Sequence, residues 1–110
     1  MSTVRPFRFG VVGAAGRGGS FAGALRGVGA TVHAVCDSDE PRLEQARQAM
    51  GAERAFTSYE AMLDAGEVDA VLVATPMHLH VPMSIAALRR NIAVLSEVTA
   101  GVSVDECRQL

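Results

Sequence analysis

The chain has 110 residues, 49% hydrophobic and 20% charged, with a formal net charge of -2. That is the balance of one globular domain with one core; it carries no basic surplus for nucleic acid or an anionic membrane. No apolar run reaches the roughly 18 residues of a membrane span, and "MSTVRPFRF" lacks the apolar region of a secretory signal, so a soluble, cytoplasmic protein is expected.

Short apolar runs alternate with helix-like segments. "FRFGVV" (7–12) reads as a buried strand; it leads into the glycine-rich "GAAGRGG" and a helix over about 18–28. "TVHAVC" (31–36) is a second strand. "DSDEPRLEQARQAMG" opens on capping residues, holds Pro41 in its first turn and closes on Gly51, the pattern of a helix. "RAFTS" (54–58) is a short third strand, and "SYEAMLDAG" a short helix from a Ser58 cap to Gly66. "VDAVLVAT" (68–75) is the strongest strand. "VPMSIAALRRN" is a helix with Pro82 near its start and Asn91 as a left-handed stop, and "IAVLSE" (92–97) is the fifth strand. Ser103 and Glu106 form a capping box for a last helix that runs only to Leu110; a chain cut inside a helix is expected, with residues 1–110 the N-terminal part of a longer protein.

Apolar strands separated by helices imply a parallel sheet covered on both faces: an α/β, doubly wound, Rossmann-type fold. In such sheets ligands bind beyond the carboxyl ends of the strands, where strand order reverses. The turn after the first strand lies there. Gly13 permits the sharp exit, Gly18 lets helix and strand pack closely, and backbone N–H groups at the helix start face a phosphate. The second glycine of G-x-G-x-x-G is Ala15, one methyl at the position of close approach; Gly16 and Gly19 keep the loop permissive. Arg17 either reaches a phosphate or is solvated.

Asp37 ends the second strand, 24 residues after Gly13 and 19 after Gly18. An acidic residue at about that distance binds the ribose hydroxyls of the adenosine half, and repels a 2'-phosphate, so NAD is expected rather than NADP. The alternative is that Asp37 merely caps the next helix.

"ATPMHLHVP" (74–82) follows the fourth strand on the same edge of the sheet. His78 and His80 suggest a metal pair, but only Glu97 and Cys36 could join them and neither has ligand-like spacing, so no metal is expected. One of the two histidines is expected to line cofactor or substrate and the other to face solvent. His33 reads as structural, and Cys36 as a small buried hydrophobe. No lysine occurs; all ten basic residues are arginine, which rules out a Schiff base or a lysine acid from this chain.

Taken together, "VVGAAGRGG", Asp37, "VATPMHLHVPMSIAAL" and "VLSEVTA" resemble the N-terminal domain of the glucose-fructose oxidoreductase/inositol dehydrogenase/MocA family over essentially the whole chain. The resemblance implies a nucleotide-binding domain followed by a C-terminal substrate and oligomer domain that this sequence does not encode. It also implies that Thr75, Pro76, His80 and Glu97 line the nicotinamide side. His80 and Glu97 are then the candidate catalytic residues, beside the cofactor-binding Gly13, Ala15, Gly16, Arg17, Gly18 and Asp37.

Two departures qualify the resemblance. The family's Glu-Lys-Pro is here Glu97-Val98-Thr99, and Met77 replaces a polar residue before His80. The leading expectation is the NAD-binding domain of an oxidoreductase acting on a sugar, polyol or related hydroxy compound, inactive by itself and homo-oligomeric at full length. A glycosidase that uses transient oxidation by NAD, and a non-catalytic NAD-sensing module, are the alternatives.

Overall fold

The structure, a computed structural model, describes residues 6–110. Five strands, β1 (Arg8–Val12), β2 (Thr31–Cys36), β3 (Arg54–Phe56), β4 (Ala70–Val73) and β5 (Ala93–Ser96), form one sheet in the order β3-β2-β1-β4-β5. Every pairing is parallel, with Val11 opposite Val35 on one side and Leu72 on the other. Five helices connect or follow them: α1 (Ala22–Gly27), α2 (Glu40–Met50), α3 (Tyr59–Asp64), α4 (His80–Leu88) and α5 (Val104–Gln109). This is the doubly wound α/β architecture expected from the alternation of apolar runs.

Strand residues alternate between two cores. Val11, Val35 and Leu72 pack with Leu25, Leu43 and Met50 of α1 and α2. Val12, Ala34, Val71 and Val73 pack with Met62, Leu63 and Ala87 of α3 and α4. All four residues of β4 are buried, as a central strand with helices on both faces requires. On β5, by contrast, Leu95 is 51% exposed, although Leu72, its neighbour across the ladder, is buried.

The boundaries follow local chemistry. Asp39, Ser58 and Ser103 each accept a backbone N–H three residues on, capping α2, α3 and α5. Glu106 accepts from the Val102 N–H, one residue before the cap, rather than from the Ser103 N–H of a closed capping box. Gly51 (φ 66°) and Asn91 (φ 59°) take the left-handed conformation that ends a helix. One boundary departs from expectation: the helix anticipated from residue 18 begins as a 3-10 turn, Arg17–Phe21, and becomes α-helical only at Ala22. Gly18 and Gly19 explain the delay, because glycine sacrifices most backbone entropy in a helix.

Gly18 is also where the turn meets the sheet. A Cβ there would lie 2.7 Å from Val11 Cγ1 and 2.9 Å from the Gly13 carbonyl oxygen. Gly18→Ala must therefore push the 3-10 turn away from β1, and should destabilise the fold by about 1–3 kcal/mol, read as a lower urea midpoint with unchanged cooperativity.

Candidate dinucleotide site

Strand order reverses between β1 and β4, since the chain leaves β1 toward β2 and returns beside it as β4. The gap at their carboxyl ends is the usual ligand position in such sheets. Gly13 forms its floor. Its φ is +83°, and a Cβ would meet the Ala74 carbonyl oxygen at 2.6 Å, so glycine is required on both counts. The Gly13 and Ala14 N–H groups donate to the Cys36 carbonyl at 3.0 and 3.2 Å, which draws the turn to the end of β2. Gly16 and Gly18 donate back to the Gly13 carbonyl at 3.1 and 3.0 Å. Beside Gly16 the backbone is open, with no atom nearer than 3.8 Å to where a Cβ would stand.

Asp37 does not cap α2; Asp39 does. The Asp37 carboxylate instead accepts the Ala15 N–H at 3.0 Å through one oxygen and the Asp39 N–H at 3.1 Å through the other. A carboxylate has about four acceptor positions, so two bonds fix its orientation and leave room for the hydroxyls of a ribose. Next to it a cleft of about 320 Å³ opens, lined by Gly13, Asp37, Tyr59, Thr75, Pro76 and Met83 among others. The lining is mainly apolar with a carboxylate at one end, the chemistry that suits a purine joined to a ribose. The Tyr59 hydroxyl donates to the Met83 carbonyl at 2.8 Å, bracing α3 against α4, and burial pushes its ionisation well above the ordinary phenol range.

At the other end of the turn, Arg17 donates through Nε to Glu97 at 2.5 Å. The Arg17 side chain is 66% exposed and that of Glu97 only 18%, so the pair joins the glycine turn to the end of β5 with the arginine outermost. His80 is elsewhere than at the open face. It is buried, with Nε2 2.7 Å from the Thr75 carbonyl oxygen and Nδ1 2.6 Å from that of Thr99. It ties the loop after β4 to the loop after β5, while His78 is exposed. His33, anticipated as structural, lies between Glu53 and Glu67 at the opposite end of β2.

Gly13, Ala15, Gly16, Gly18, Asp37, Thr75 and Pro76 thus lie around one cleft and its turn, with Arg17 and Glu97 paired at its far end. Sequence reasoning passed over Tyr59 and Met83, and read Cys36 only as the buried hydrophobe that it is. Tyr59 and Met83 carry no motif; their only signal is placement beside the edge where β1 and β4 end.

Residues 7–110 match the family of oxidoreductases with an NAD-binding Rossmann fold that comprises glucose-fructose oxidoreductase, inositol dehydrogenase and MocA proteins. The chain belongs to this family. NAD, the cofactor anticipated from Asp37, is the cofactor of the family. An inositol 2-dehydrogenase of Saccharopolyspora erythraea is 38% identical over 84% of the chain and 28% of its own length. A glycosyl hydrolase family 109 protein of Solibacter usitatus is 33% identical over 94% of the chain and 26% of its own. Among solved structures, the WlbA dehydrogenase of Chromobacterium violaceum, in complex with NADH and UDP-GlcNAcA, superimposes with a TM-score of 0.89 at 31% identity, over 98% of this chain and 32% of that one. The chain therefore spans about a quarter to a third of these relatives. Among the described residues no helix is long and apolar enough to cross a membrane.

Cys36 provides a spectator inside the cleft. It is 3% exposed, and burial, with the charge of Asp37, raises its thiol to about 11. Only the thiolate reacts. At pH 8 an aromatic disulfide reagent should modify exposed Cys107 at once and Cys36 slowly; in Cys107→Ser, saturating NADH should slow the remaining reaction further.

Proposed function

We propose that this chain is the NAD-binding half of an oxidoreductase that takes hydride from a CH–OH group of a sugar, a polyol or a nucleotide-linked sugar. The observation that carries the reading is the Asp37 carboxylate, fixed by two backbone N–H groups at the end of β2 beside a glycine turn and an apolar cleft. Relatives named for inositol oxidation, and a dehydrogenase solved with NADH and a UDP-sugar, support the substrate class.

When bound, NAD accepts the hydride; the residues of this chain hold and place it. Tyr59 and Met83 would enclose the adenine and Asp37 would accept from the ribose hydroxyls; Pro76, which the resemblance put on the nicotinamide side, lines this same cleft. Five other N–H groups of the turn, those of Gly13, Ala14, Gly16, Gly18 and Gly19, are committed to backbone carbonyls, and that of Ala15 to Asp37. The Arg17 amide is not among them, so its amide and guanidinium supply donors for the pyrophosphate. Thr75 and Glu97 border the nicotinamide end, where Arg17 orients the Glu97 carboxylate. His80 acts behind them as a strut, with both ring nitrogens already facing carbonyls. Val98 and Thr99 offer no ammonium for proton transfer, so the proton acceptor belongs to a substrate domain, and the chain alone binds cofactor without turnover.

A second reading rests on the relatives named as glycosyl hydrolase family 109 proteins and as an α-N-acetylgalactosaminidase. There NAD would be reduced and reoxidised within one turnover. A protein carrying this chain with a substrate domain would then cleave an aryl glycoside with no added NAD and release no NADH, whereas the first reading requires NADH to accumulate with substrate.

Binding itself is tested on the chain in hand. Asp37→Ala should raise the NADH dissociation constant several-fold in a fluorescence titration, as expected for loss of charge-assisted hydrogen bonds. Unchanged affinity would remove Asp37 from the site.

A further inference from the structure

Arg42 lies in the first turn of α2, near the end of the helix where a cation is disfavoured by the partial positive charge of the unpaired N–H groups. Its side chain does not run along the helix surface. It reaches across to the glycine turn, where Nη2 donates to the Ala15 carbonyl at 2.7 Å. It thereby crosses a groove of about 340 Å³ between the turn and α2, whose other lining residues include Ala14, Gly16, Ala46 and Ala49.

This bond closes a ring. Ala15 N–H donates to Asp37, Asp39 N–H donates to Asp37, Arg42 N–H donates to Asp39, and the Arg42 guanidinium donates to Ala15 C=O. Ala15 is thus held on both its N–H and its C=O by side chains of the β2–α2 connection and of the first turn of α2. It is also the residue that stands where the motif has its second glycine. A glycine there brings the backbone close to a pyrophosphate through its own freedom. With a methyl present, the position of the turn is set from outside.

We propose that Arg42 is a positioning residue for the phosphate turn: through the Ala15 carbonyl it holds the turn in place, so that the phosphates meet a site already in register. The proposal rests on the NAD-binding reading and deepens it. It assigns Arg42 no contact with the adenine ring, and its effect is therefore confined to ligands that carry phosphate.

The test uses the 110-residue chain and three ligands, NADH, ADP and adenosine, titrated at about 0.5 M salt, where long-range attraction between a cation and the phosphates is screened. Arg42→Met keeps most of the aliphatic stem and removes the donor. Without that donor the turn samples other positions, so Arg42→Met should weaken NADH and ADP several-fold and leave adenosine, which does not use the turn, unchanged. Arg42→Lys, which can still donate to the carbonyl, should recover part of the loss, and thermal unfolding of both variants should stay near that of the parent. Equal loss for adenosine would mean a direct contact with the base, and undiminished ADP affinity would mean a solvated surface arginine; either overturns the proposal. A parent chain that binds no NADH overturns the function and the proposal with it, whereas a parent that binds and a variant that binds equally well overturns the proposal alone.

Discussion

The whole site depends on how closely two backbones meet at one point. Gly13 leaves β1 against the Ala74 carbonyl at a distance that excludes any side chain. That contact allows β1 and β4 to lie side by side to their very ends and still diverge, one chain turning toward β2 and the other into the loop before α4. The cleft is the space between the diverging paths. Its depth is set by a missing Cβ, and its walls by connections that leave toward opposite edges of the sheet.

Around that floor the polar groups are arranged so that few turn donors remain uncommitted. The turn satisfies itself through Gly13 and Cys36 carbonyls, and Asp37 and Arg42 hold its middle from the neighbouring connection. A turn so fully bonded is a rigid one, and in the proposed reading Arg17 is the residue left to meet the phosphates. The arginine is in turn steadied by Glu97, a residue whose place in the resemblance was on the nicotinamide side. One ion pair therefore joins the glycine turn to the end of β5.

Much of this was legible in the sequence. Helix-stop and capping residues carry their own mechanisms, so Gly51, Asn91, Ser58 and Ser103 mark the ends where they were expected. Gly13 and Asp37 were readable because their spacing encodes a strand, a turn, a helix and a strand. What the pattern hid was direction. His80 stands in a loop full of polar signals, yet its ring turns inward to two carbonyls, and nothing in a one-dimensional pattern separates a buried histidine from an exposed one two residues away. Asp37 and Asp39 both looked able to cap α2, and only the path of the backbone decides between them. Arg42 was invisible because its partner is a carbonyl, a group that every residue has.

The ion pair at the mouth has a consequence for the order of assembly. Arg17 and Glu97 are 80 residues apart, so they can meet only after the chain between them has folded back on itself. Long closures are entropically costly and are repaid late, when local pieces are in place. Gly13, Asp37, Tyr59 and Met83 precede the final strand, whereas the Glu97 end waits for β5 to dock beside β4. On a chain made from its N-terminus, the residues that line the cleft are all synthesised before Glu97, the residue that closes its far end.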